Sequence, residues 1–208
     1  MPGLQLQTTA FVLARQPSGS DNFESVSLFT EEHGVQPALL RTSKRSAATA
    51  ALDLFDEAEF WLESSNQGRT WFIKEHRLLH RHALGRSYEA LRCASALATL
   101  VLRNPVPDES REPVAALLRQ TFAALAAHHR ADIVWLKTLF CFLRDEGYPV
   151  KQHWWKQLPA DDRDPAARLL NQPLAAHDSG PDGEPATVAR LTRHLEDWLR
   201  AETELKLR

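Results

Sequence analysis

Residues 8–46 read TTAFVLARQPSGSDNFESVSLFTEEHGVQPALLRTSKRS. Three short runs rich in β-forming residues are separated by two turn signals, and the stretch ends in a basic loop. The first run, Thr8–Gln16, carries Phe11, Val12 and Leu13. Pro17-Ser18-Gly19-Ser20-Asp21-Asn22 is dense in residues that supply turn geometry or bond their own backbone. Phe23–Thr30 alternates. Phe23, Ser25, Ser27 and Phe29 share one face; Glu24, Val26 and Leu28 share the other, and both faces carry apolar side chains. Gly34 can take the positive φ that a turn after His33 demands. Val35–Leu40 is a third apolar run, and Arg41-Thr42-Ser43-Lys44-Arg45-Ser46 is the basic loop.

Downstream, an alanine-rich bridge (Ala47–Leu54) leads to a cleanly alternating run, Glu57–Glu63. Its pattern puts Ala58, Phe60 and Leu62 inward and Glu57, Glu59, Trp61 and Glu63 outward. Ser64–Gly68 reads as a hairpin turn, and Arg69–Glu75 returns as a fifth strand with Trp71, Phe72 and Ile73. Five short strands this close together predict a small closed or nearly closed barrel, because antiparallel strands of this length need closure to hide their edges.

The period then changes. Tyr88, Leu91, Ala94, Leu97 and Val101 recur at helical spacing, with Ser87 as N-cap and Asn104-Pro105 as the stop. A second helix is expected over Pro113–His128. A third begins with Asp132 as N-cap and is apolar nearly all round, which predicts the centre of a bundle; Gly147 and Pro149 end it. Asp161–Asn171 reads as a short helix, residues 171–185 as a polar Pro/Gly linker, and a last helix from Pro185 carries Val188, Leu191, Leu195 and Trp198 on one stripe. The expected class is therefore α+β, with a five-stranded domain at 1–80 and an all-α bundle at 81–208.

The formal net charge of −2 hides an uneven distribution. Residues 1–75 carry 6 Lys/Arg against 10 Asp/Glu, residues 76–160 carry 12 against 7, and residues 161–208 carry 7 against 10. The middle third is the basic part, and acidic partners respond to local fields. Cys93 and Cys141 sit inside apolar helical patterns and read as reduced core residues of a cytoplasmic protein. The start of the chain has no basic segment followed by an apolar one, which argues against export.

Chemistry-bearing motifs are few. His76, His80, His82 and the His128-His129 pair lack the frame of a zinc site. There is no G-x-S-x-G, phosphate loop or G-x-G-x-x-G. The alternation that puts Glu57, Glu59 and Glu63 on one strand face points to a solvated face rather than a glycosidase pair. No catalytic residue, metal or cofactor is expected, and the chain reads as a non-enzyme. The basic loop is different. Cations interleaved with hydroxyls suit phosphate oxygens, and small barrels bind single strands through charge plus aromatic stacking. Arg15, Arg41, Lys44, Arg45 and Lys74 are the candidate DNA contacts, with Trp61 and Trp71 as possible platforms.

The ordered set FVLARQPSGSDNFESVSLFTEEHG (Phe11–Gly34), an apolar strand, a basic loop, an alternating strand pair and a helical bundle resembles the RecO family of bacterial recombination mediators. The TEEHG turn (Thr30–Gly34) is the nearest local match, and LFCFLRDEGYPV (Leu139–Val150) looks like that family's helix with its Gly-Tyr-x-Pro-like stop. The resemblance implies an N-terminal OB-fold followed by a helical domain. It also implies binding of single- and double-stranded DNA, annealing of complementary strands, and a nucleoid-associated role in DNA repair. The implied protein partners are RecR and the single-stranded-DNA-binding protein, which together help load the recombinase RecA. Many relatives carry a four-cysteine zinc module where this chain has Lys151-Gln152-His153-Trp154-Trp155-Lys156, so no zinc is expected. From composition alone, Lys137, Arg144 and Lys151 beside Trp154 and Trp155 suit an acidic, apolar tail such as that of a single-strand-binding protein. The alternative reading is a divergent RecO-like interaction scaffold with little DNA binding.

Overall fold

The computed structural model describes residues 3–42, 51–65, 68–177 and 185–207. Five strands come first: β1 (Gln5–Pro17), β2 (Phe23–Thr30), β3 (Gly34–Arg41), β4 (Glu57–Ser65) and β5 (Thr70–His80). They close on themselves in the order β1-β2-β3-β5-β4, with β4 returning to β1. Closure is possible because β1 is long. Its N-terminal half pairs with β4 and its C-terminal half with β2, and an irregularity between Val12 and Ala14 turns the strand from one neighbour to the other. All pairings are antiparallel except β3–β5, a parallel seam of three pairs: Ala38 with Trp71, Leu39 with Phe72, and Leu40 with Ile73.

The inner face follows the period of two. Ala10, Val12, Val26, Leu28, Ala38, Ala58, Phe60, Leu62 and Ile73 are buried in one core, against which Leu6, Leu40 and Trp71 pack. This resolves β2: Val26 and Leu28 face inward, so Phe23, Ser25 and Ser27 face out. The alternation of β4 holds for Ala58, Phe60 and Leu62 but not for Glu57, which is only 3% exposed. Glu57 shares a row with Phe11, itself buried, and with His80, whose Nδ1 lies 3.3 Å from its carboxylate. That end of the outer face is covered, so the expected solvated carboxylate row begins at Glu59. β5 runs five residues past its expected end and takes His76 and His80 into the sheet.

The chain between β3 and β4 ends in a strained turn. Phe55 is buried at φ 68°, its N–H donates to Val12 O, and Val12 N–H donates to Asp56 O. Asp56 is buried and accepts a two-point bond from Arg81, through Nε at 2.9 Å and Nη2 at 2.6 Å. A left-handed phenylalanine costs on the order of 1–3 kcal/mol and persists where its surroundings over-determine it, as these bonds do.

Six α-helices follow among the described residues: α1 (Tyr88–Arg103), α2 (Arg111–Ala127), α3 (Ala131–Asp145), α4 (Trp154–Gln157), α5 (Ala160–Asn171) and α6 (Pro185–Glu202). Ser87 caps α1 through Ala90 N–H, as expected. The inward face of α1 is Ala90, Cys93, Ala94, Leu97 and Val101, whereas Tyr88 and Leu91 are exposed; the buried stripe is rotated from the one anticipated. Asp132 does not cap α3. The cap position is Arg130, two residues earlier, and Asp132 sits in the first turn bonded to Arg130. α3 is central, packing on α1, α5 and α6. It ends at a Gly147 with φ 80°. Within the expected linker, Leu174–His177 forms a single turn that buries His177.

Two compact units result. One comprises Met1–His82 with Pro105–Ala115, the other Ala83–Asn104 with Ala116–Arg208. The expected boundary lay at residues 80/81; Pro105–Ala115 also groups with the sheet, where Arg111 Nη1 donates to Glu32 O at 2.7 Å. Both cysteines are unpaired, and burial pushes the Cys93 thiol up to about 11 and raises that of Cys141. Among the described residues no helix is long and apolar enough to cross a membrane.

Candidate nucleic-acid interface

The outer face of β2, β3 and β5 brings two aromatic rings and a cation together, and most of these residues are not the ones anticipated. Phe23 pairs with Arg41, and Leu39 pairs with both Ser25 and Phe72. The alternation that sends Val26, Ala38 and Ile73 inward sends these residues out. Phe23 and Phe72 meet across β3 with ring centroids 5.6 Å apart and planes at 65°, an edge-to-face pair. Both rings are half-buried, and Arg41 beside them is exposed with no ion pair among the described residues.

Beside Phe23 lies a cleft of about 420 Å³ lined by Pro17, Ser18, Ser20, Asp21, Glu24 and Thr42. The β1–β2 turn is fixed by its own hydroxyls. Ser18 Oγ accepts from Ser20 N–H at 3.1 Å and sits 2.8 Å from Phe23 O. Thr42 ties the end of β3 to this turn, its N–H donating to Asn22 O and its Oγ1 to Asp21 O. Thr42, the last described residue at this end of β3, therefore lines the cleft.

The anticipated cations fare unequally. Arg15 is held in a two-point pair with Glu24, Nε at 3.1 Å and Nη2 at 2.6 Å, and its Nη1 donates to Leu52 O. It therefore acts inside the fold, joining β1, β2 and the chain ahead of β4. Lys74 is exposed at an irregularity of β5 and lies 2.9 Å from Glu63. Lys44 and Arg45 lie outside the described residues. Of the two tryptophans, Trp71 packs against the inner core and Trp61 faces out on the other side of the ring. Trp61 borders a depression of about 440 Å³ with Gln5, Gln7, Glu63, Lys74 and Glu75. That side is acidic: Glu59 accepts from Gln7 at 2.7 Å and from Arg77 at 2.6 Å, which holds its carboxyl below the usual value.

In the helical unit, Lys137 has a structural task. Its Nζ donates to Leu169 O, Leu170 O and Gln172 O at 2.8, 3.0 and 2.7 Å. These are carbonyls at the C-terminus of α5, where orphan acceptors and the negative end of the helix dipole favour a cation. Burial lowers its pKa from the ordinary lysine value. Trp154 is 0% exposed, with its ring 5.9 Å from Phe140 and 6.3 Å from His194. It is core, not the wall of an open slot. Arg144 is paired with Asp145 at 2.6 Å, Lys151 is exposed, and Trp155 is half-buried against Trp154. Of the residues anticipated for an acidic tail, Arg144 and Lys151 are exposed, Trp155 and Lys137 are half-buried with the Lys137 ammonium already bonded to carbonyls, and Trp154 is buried.

Phe23 and Phe72 were not anticipated. The alternation of β2 does put Phe23 beside two serines on one face, a legible sign of a half-exposed aromatic. Its meeting with Phe72 depends on the parallel β3–β5 seam, which no local pattern announces. Comparison with known proteins finds no matching family model and no matching curated protein.

Proposed function

We propose that the chain is a non-enzymatic, DNA-binding recombination mediator of RecO type. Its closed sheet is read as an OB-fold barrel that binds and anneals single-stranded DNA. The strand order, the shared long first strand and the parallel β3–β5 pairing support the OB reading, and in that fold the strand 2–3 face and its neighbouring loops bind oligonucleotides. The observation that carries the reading is the Phe23–Phe72 pair on that face, with Arg41 beside it exposed and without an ion pair among the described residues. Aromatic rings stack bases of any sequence while a neighbouring cation holds the backbone. Lys44 and Arg45, next in the chain after Thr42 and Ser43, extend the cationic character of the loop. RecR and the tail of a single-stranded-DNA-binding protein are the proposed protein partners, and the nucleoid is the proposed place of action.

A second reading, a RecO-like scaffold with little DNA binding, draws on a specific observation: Arg15 and Lys74 are already paired with Glu24 and Glu63. Titration of a fluorescent oligonucleotide at low and rising salt separates the two. The mediator reading expects binding whose log–log salt slope becomes shallower by about 0.7 when Arg41 is replaced by Ala. Phe23→Ala or Phe72→Ala weakens binding by roughly 1–3 kcal/mol with the slope unchanged. Absence of binding even at low salt rejects the mediator and leaves the scaffold.

A further inference from the structure

We infer that the cleft beside Phe23 selects nucleobases bearing an exocyclic amine, cytosine and guanine foremost, over thymine. The inference rests on the single-strand reading above and concerns which base that site takes.

The argument is an inventory of donors and acceptors. A base stacked on Phe23 brings its edge to the cleft formed by the β1–β2 turn and Thr42. The hydroxyl of Thr42 is directed to Asp21 O, and that of Ser18 to backbone carbonyls of the turn. The Thr42 N–H is bonded to Asn22 O, and the Glu24 carboxylate is held by Arg15. Of the side chains that line the cleft, what remains is that of Asp21, exposed and without a partner among the described residues, and the hydroxyl of Ser20. Among the described residues no cation lines the cleft. An ionised carboxylate only accepts hydrogen bonds. Cytosine offers its N4 amine, and guanine offers N1–H and N2–H side by side. Thymine presents two carbonyl oxygens around a single N–H, and those oxygens meet the carboxylate unfavourably. Carboxylates on protein surfaces read the cytosine amine in this way.

The preference is thus set by a negative charge at a site whose phosphate contacts come from elsewhere. That separation makes it testable. Labelled dC and dT strands of about twelve nucleotides, within the span of a single OB-fold site, are titrated with the full chain at about 20 mM salt. The dC strand is expected to bind about five-fold or more tightly than the dT strand, the ratio that one such hydrogen bond confers. In Asp21→Ala the ratio falls to near one, while dT binding is unchanged or rises, because only a negative charge has been removed. The Asp21 carboxylate has no partner among the described residues, and Asp21→Asn, which keeps its shape, provides a second variant expected to flatten the ratio. Equal or tighter dT binding overturns the inference, as does a dC preference that survives in both variants. Those results leave single-strand binding standing. Failure of both strands to bind overturns the inference together with the reading beneath it.

Discussion

Asp162 shows how single side chains tie the helical unit. The residue is 5% exposed, and Arg190 Nε and Nη2 both reach its carboxylate, joining α5 to α6. The hydrogen bond from Arg190 holds its carboxyl below the usual carboxylate value. A carboxyl depressed in the folded state contributes stability that is fully present above its unfolded value and is lost as pH falls through the folded one. Asp162→Asn is therefore expected to lower stability at neutral pH by about 1–2 kcal/mol, since Arg190 is half-exposed and keeps part of its hydration. The deficit should shrink as urea denaturation is repeated from about pH 5 downward. A deficit constant through that range would show that charge is not its source. Lys137 makes the complementary point. Its spacing among apolar residues signalled only a cation on a buried helix, and whether it faces solvent or caps a neighbour depends on where α5 ends.

At the scale of elements, the β2–β3 turn is built on Gly34. Its φ is 65°, and a Cβ there would lie 3.1 Å from Arg111 Nε, whose Nη1 is bonded to Glu32 O. Gly34→Ala meets both backbone strain and a displaced guanidinium, so a loss of about 1–2 kcal/mol is expected in thermal or denaturant unfolding. A neutral result would mean that the turn relaxes to another form. This glycine, the five strands and the bounds of α1 were legible because each rests on local chemistry: turn residues, alternation and a serine cap. Register was not. The burial of Glu57, the exposure of Tyr88 and Leu91, and the encounter of Phe23 with Phe72 depend on what lies across from each residue. So does the candidate site. Arg41 emerges as an exposed cation beside an aromatic pair, whereas Arg15, read from the sequence as a phosphate contact, is claimed by Glu24 on the adjacent strand. A sequence shows which cations exist but not which carboxylates lie opposite them.

For the whole molecule, the division of the chain does not follow its order. Pro105–Ala115 belongs to the sheet unit although α1 intervenes. A fragment ending at His82 would lack Arg111 and its bond to the β2–β3 turn. It is expected to keep β-type circular dichroism but to melt several degrees below the sheet signal of the intact chain, a shift on the scale of about 1 kcal/mol in a small domain. Equal midpoints would show that Pro105–Ala115 adds nothing to the sheet. Charge is also unevenly placed at this scale. The excess of cations lies in residues 76–160, yet Lys137, Arg130 and Arg144 there are already bonded to carbonyls or carboxylates. Formal charge thus overstates what the helical unit offers an acidic partner.

The three-pair parallel seam between β3 and β5 has a consequence for timing. β1, β2 and β3 are joined by short turns, as are β4 and β5, so each group can assemble from near neighbours. The two junctions between these groups, the β3–β5 seam and the β1–β4 pairing, link residues far apart in the chain and close at a greater entropic cost than the turns, which makes ring closure a late event in folding. Phe23 and Phe72 lie on opposite sides of the seam. The aromatic pair therefore exists only in a chain whose ring has shut, and under the function proposed above an oligonucleotide resting on both rings would act as a clasp, favouring the closed ring by mass action over any form in which the seam has parted.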